Sequence, residues 1–157
     1  MNNGLYSSQG NSTSTDATIC RVLFAETTGE YYGTGINKTV LNTTVYETNN
    51  ITRSGDSIIV NSAGYYNIYA QVYTYGDRGA NHMCSLAVYV NGIVKSVTPQ
   101  MRPTAENKLT SISTTLQLNI GDVIQFYTYV GTTSYDVLAT DGTFNAQASY
   151  ADVYKIK

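Results

Sequence analysis

Residues 64–77, GYYNIYAQVYTYGD, alternate without a break between two kinds of side chain. Tyr66, Ile68, Ala70, Val72 and Thr74 fall on one parity; Tyr65, Asn67, Tyr69, Gln71, Tyr73 and Tyr75 fall on the other. Successive side chains of a β-strand point to opposite faces, so one register alone buries the apolar set. The run therefore reads as a strand with a core-facing parity and a wettable, tyrosine-rich parity.

The same period recurs along the chain. Residues 84–90 place Cys84, Leu86, Val88 and Val90 inward and end on Asn91-Gly92, a pair that accepts the positive φ of a tight hairpin. Residues 109–120 place Ile112, Leu116, Leu118 and Ile120 inward, and Gly121-Asp122 turns the chain into a strand over 123–131. Shorter strands are expected near 17–25, 39–46, 57–61 and 145–156, with turns at 26–35 and 49–56 and with Pro99 and Pro103 bracketing a loop. No helical period of useful length is present. Eight or more short strands without helices predict an all-β, antiparallel sandwich or barrel.

The 157 residues suit one domain, assigned here to 17–157. Residues 1–16 are Gly, Ser, Asn and Thr with little to bury, and read as a flexible polar arm. The alternative is an arm that orders against a neighbouring subunit or a larger particle, with Leu5 and Tyr6 as its anchors. Only 13% of the chain is charged, so Ser, Thr, Asn and Gln must supply the polar surface. Fifteen Tyr against three Phe and no Trp favour half-exposed contact surfaces, because a phenol is apolar in its ring and tolerates water at its hydroxyl.

Several function classes drop out. A net charge of −2 without a basic run argues against nucleic-acid binding. No apolar stretch reaches the roughly 18–20 residues of a membrane-spanning helix. The first residues carry neither a basic nor an apolar targeting region, so synthesis in a cytoplasm is expected. His82 is the sole histidine and lies in a Gly-rich loop, poorly suited to the rigid imidazole of a nucleophilic triad. No Cys/His set has zinc spacing, and no phosphate-cradling glycine motif is present. Asp77, Asp136 and Asp141 are read as solvated turn acids rather than as a calcium site. No catalytic residue, metal or cofactor is therefore assigned. Cys20 and Cys84 sit in strand-like runs and read as buried reduced thiols, with a bridge as the alternative. Tyr31, Tyr32, Tyr75 and Tyr135 are candidate loop tyrosines for stacking on a glycan.

Three phrases, in order, resemble the tumour-necrosis-factor-like superfamily, which includes the head of complement component one-q. They are SIIVNSAGYYNIYAQVY at 57–73, LAVYVNGIVK at 86–95 and LQLNIGDVIQFYTYV at 116–130. The resemblance implies a jelly roll of about ten strands assembling as a homotrimer around a threefold axis. It also implies that the strand after Gly-Asp lines that axis. Gln125, Tyr127 and Tyr129 would then face sister subunits while Ile124, Phe126, Thr128 and Val130 enter the sandwich, and Tyr69 and Tyr73 would join the same interface. One departure stands out: family members usually carry an aromatic followed two residues later by Gly in the last strand, and here Tyr150 is followed by Asp152. Similar modules occur on bacterial spores and in virion proteins. The expectation is a non-enzymatic structural protein at a virion surface, a capsid decoration (cement) protein of a bacteriophage head. Its expected partner is the major capsid protein or another virion protein. The alternative is a receptor- or glycan-binding head of a phage fibre or a spore surface.

Overall fold

The structure is a computed structural model and describes residues 18–24, 30–32, 35–75, 84–99, 107–130, 135–138 and 149–157. Thirteen strands occur among these residues, and no helix. In chain order they are β1 Ile19–Phe24, β2 Glu30–Tyr32, β3 Gly35–Lys38, β4 Leu41–Glu47, β5 Ile51–Ser54, β6 Ser57–Val60 and β7 Gly64–Tyr75. There follow β8 Cys84–Val90, β9 Ile93–Val97, β10 Asn107–Leu118, β11 Val123–Val130, β12 Tyr135–Leu138 and β13 Tyr150–Lys155. Every pairing between them is antiparallel.

Two sheets face each other. Sheet A is organised by β7, which pairs with β10 along its whole length on one side. On its other side β7 pairs with β13 and then β12, which lead on to β1 and β4 and to β2 respectively. Sheet B runs β5-β6-β11-β8-β9, with β3 continuing beside β11 where β6 stops.

On β7, β8 and β11 the expected core parities hold where side chains are described; those of Thr74, Cys84 and Val130 lie outside the described residues. Tyr66, Ile68, Ala70 and Val72 of β7, Leu86, Val88 and Val90 of β8, and Ile124, Phe126 and Thr128 of β11 are buried. They meet Cys20, Val22, Phe24, Ala151 and Val153 from sheet A in one cluster. Phe24 and Phe126 join the sheets across its middle, their ring centroids 5.2 Å apart and tilted by 49°. The Asn91-Gly92 hairpin forms with both residues at positive φ, 53° and 76°. Asn91 Nδ2 then donates to Asp122 Oδ1 at 2.7 Å, which ties this turn to the Gly121-Asp122 turn.

Some expectations are corrected. Ile120 is 72% exposed, because β10 ends at Leu118 and the turn begins before the parity reaches it. The polar stretches 26–35 and 49–56, expected as turns, contain β2 and β5, and Asp136, expected in a turn, lies in β12. These strands have three or four residues each, too few for alternation to show.

Cys20 is buried and unbridged. Burial first, then the carboxylates of Glu47 and Asp152, push its thiol from 9.0 up to about 12. Between those two values the folded chain keeps a proton that the unfolded chain has lost, so stability falls as pH rises through that window. Urea midpoints taken from pH 8 to 11 are expected to drop more steeply for the native chain than for Cys20→Ala; identical slopes would contradict this. The side chain of Cys84 lies outside the described residues.

Candidate functional site

The outer face of sheet A, turned away from the core, is built from the odd positions of β7 and their neighbours in register. Its central row crosses five strands: Ser113 of β10, Tyr69 of β7, Asp152 of β13, Arg21 of β1 and Tyr46 of β4. The next row holds Ser111, Gln71, Tyr150, Leu23 and Thr43, and Leu109–Tyr73 and Asn67–Tyr154–Ile19 flank the two. With Tyr65 of β7, this one face carries Tyr46, Tyr65, Tyr69, Tyr73, Tyr150 and Tyr154.

An ion pair fixes the centre of this face. Arg21 Nε donates to Asp152 Oδ1 at 2.6 Å and Nη2 to Oδ2 at 2.5 Å, a two-pronged geometry that holds both groups rigidly. The side chains are 29% and 17% exposed, so the pair is sheltered but reachable. The guanidinium carbon lies 4.6 Å from the Tyr150 ring centroid and 5.8 Å from that of Tyr46, within range for cation–π attraction. Tyr150 in turn packs on Tyr69, centroids 5.8 Å apart, and the Tyr69 hydroxyl donates to Gln71 Oε1 at 2.7 Å. The hydrogen bond to Asp152 raises the Arg21 guanidinium above its ordinary value. Burial, then nearby Asp152, raises the Tyr46 phenol; burial, then Tyr69, raises that of Tyr150. At neutral pH the phenols of Tyr46 and Tyr150 are therefore protonated beside one neutralised charge pair.

Such a surface is a poor core and a good contact face. Interface centres are rich in Tyr and Arg, whose large side chains bury much area. The Asp152 that departs from the aromatic-x-Gly pattern is the residue that holds Arg21. The sequence signal was the alternation of Tyr150, Asp152 and Tyr154 against buried Ala151 and Val153.

Gln125, Tyr127, Tyr129, Tyr69 and Tyr73, expected together at one axis, are divided between the two sheets. Tyr69 and Tyr73 belong to the outer face of sheet A, whereas Gln125, Tyr127 and Tyr129 lie on β11 in sheet B and face away from the opposite side of the core. Two sheets packed back to back put these sets on opposite surfaces of the sandwich. On sheet B, Gln125 Nε2 donates to Ser57 Oγ at 3.1 Å, and Tyr127 packs on Tyr89 with centroids 4.3 Å apart. Tyr127 and Tyr129 line a cleft of about 520 Å³ with Ile36, Tyr89, Val94 and Val97.

Tyr31, Tyr32, Tyr75 and Tyr135 stand in strands rather than loops. Register pairs Tyr135 with Tyr32, and pairs Asp136 with both Tyr31 and Tyr75, so β2, β12 and the end of β7 bring all four to one corner of sheet A. Leu5, Tyr6, Asp77, His82 and Asp141 lie outside the described residues. No group of three or more metal-ligating side chains occurs among the described residues.

Comparison with solved structures gives the architecture its context. Murine APRIL at pH 5.0 superposes with a TM-score of 0.63 at 13% identity, covering 89% of this chain and 99% of that one. Murine APRIL at pH 8.5 gives 0.61 at 11% identity, with the same coverage. The fold is a TNF-like jelly roll. No protein-family model matches the sequence, and no curated protein matches it. At such identities the likeness extends to the TNF-like jelly roll itself, so the function has to be argued from this chain's own surfaces.

Proposed function

We propose that the chain is a non-enzymatic structural protein that assembles as a homotrimer through the outer face of sheet A. The carrying observation is the Tyr69–Asp152–Arg21–Tyr46 row, a rigid charge pair framed by aromatic rings on a half-exposed sheet. A homotrimer is also typical of TNF-like jelly rolls, which supports that stoichiometry over other rings.

Within this reading the trimer is a bacteriophage capsid decoration protein, located on the virion surface and bound to the major capsid protein or another virion protein. Residues 1–16 support it: a polar arm whose Leu5 and Tyr6 supply apolar anchors. Three arms on one trimer would turn weak contacts into a tight attachment. The receptor- or glycan-binding alternative draws on the convergence of Tyr31, Tyr32, Tyr75 and Tyr135 on adjacent strands.

Sedimentation equilibrium tests the first step: the expected mass is three times the 17.1 kDa chain, and a stable single subunit at micromolar concentration would overturn the assembly. The neighbouring genes test the second. A capsid gene beside this one supports decoration, and a long fibre gene supports the adhesive head.

A further inference from the structure

The cleft on sheet B is not used by the proposed assembly, since it lies across the core from the tyrosine face. It is bounded by Ile36 of β3, Tyr127 and Tyr129 of β11, Tyr89 of β8, and Val94 and Val97 of β9, with Ala87 and Ser85 of β8 as its floor. Its volume of about 520 Å³ is of the size that holds small organic ligands. Among the described residues that line it there is no Asp, Glu, Lys, Arg or His.

One floor residue is anomalous. Ser85 is 3% exposed, and its hydroxyl has no hydrogen-bond partner among the described residues. Buried hydroxyls are almost always partnered, so an orphan beside a cavity marks a place where a partner is missing. Of the buried side-chain oxygens in this condition, two belong to residues at the cleft, Ser85 and Thr128. Thr128 sits on the core-facing parity of β11, which leaves Ser85 as the group on the cleft side. Its cross-strand neighbour is Tyr129, and beyond Tyr129 stands Ile36, which is 67% exposed. Ile36 is largely exposed at that outer wall, so an incoming ligand that shifts its side chain reaches the hydroxyl.

We propose that this cleft binds a small, uncharged aromatic compound carrying one hydrogen-bonding group, with its ring against Tyr89 and Tyr127 and its polar group on Ser85. The two rings, tilted by 45°, offer both a face and an edge to a third ring. An uncharged lining gives a charged ligand nothing to replace its lost hydration. A polyol such as a sugar fits less well: its many hydroxyls would meet aromatic and aliphatic walls and a handful of hydroxyl partners, with no carboxylate or side-chain amide among the described lining residues.

Phenol and fluorobenzene, nearly equal in shape, are the probes, titrated into the full chain and followed by ligand-observed NMR. Phenol is expected to saturate one site per subunit with a Kd below about 1 mM, as befits a compact ligand of few atoms. It should bind at least fivefold more tightly than fluorobenzene. Ser85→Ala should bring phenol to the level of fluorobenzene and leave fluorobenzene unchanged. Ala87→Phe, which fills the floor, should abolish both. Non-saturating binding of phenol, or equal loss of both probes in Ser85→Ala with the circular dichroism spectrum retained, would overturn the site. Sedimentation of the same samples separates this result from the assembly proposal, because a trimer without phenol binding sinks the cleft alone.

Discussion

Replacing Phe126 with alanine is expected to lower the folding free energy by roughly 3–5 kcal/mol, the range for deleting a fully buried aromatic. Phe126 has no exposed surface and packs on Phe24 from the opposite sheet. Its removal opens a void where the two layers of the sandwich meet. The immediate neighbours cannot close it, since Ile124 and Thr128 are fixed on the same parity of one strand. A total stability of about 5–15 kcal/mol leaves little after such a loss. Urea unfolding followed by far-ultraviolet circular dichroism measures it, with Tyr127→Ala as the comparison. Tyr127 is adjacent in sequence but faces out of sheet B, and its truncation is expected to cost far less. Equal losses at both positions would mean that the β11 parity has been misassigned.

That parity was legible in the sequence, and so was most of the core. Where a strand runs long with clean alternation, as in β7 and β11, the described residues of the expected set are buried, whereas in β8 Ser85 and Ala87 are buried beside the expected Leu86, Val88 and Val90. The short strands β2, β5 and β12 were not legible, because three or four residues set in polar stretches give alternation no length to show itself, whereas the equally short but apolar β6 was expected at 57–61. Ile120 failed for a related reason: parity says which side a residue takes, but not where the strand stops. The candidate interface was harder still. Alternation separates inward from outward side chains, yet a sandwich has two outward faces, and nothing local tells Tyr69 from Tyr127 in this respect. The register between β1 and β13 decides the matter by bringing Arg21 to Asp152 across 131 residues. No spacing rule within either strand contains that pairing. What the sequence did contain was the anomaly, an acid at 152 where the resembling family keeps a glycine.

Asp152→Ala is expected to dissociate the trimer while leaving the subunit folded. In the isolated subunit the pair is part-exposed, and solvent can take over the guanidinium when its partner is lost, so folding stability should change little. In the proposed assembly the same face is covered. Arg21 would then be buried without its carboxylate, a loss of about 3–5 kcal/mol at each interface when a buried pair is broken from one side. That corresponds to a weakening of roughly a hundredfold or more per contact. Sedimentation velocity at micromolar concentration should show the 17.1 kDa species in place of the trimer. The double variant Arg21→Met with Asp152→Ala removes both charges together and should regain part of the assembly, because no uncompensated ion is left under the covering subunit. Tyr127→Ala should leave the trimer intact. If instead Tyr127→Ala dissociates the subunits and Asp152→Ala does not, then the chains meet through sheet B, and the tyrosine face of sheet A is open to solvent in the assembled protein.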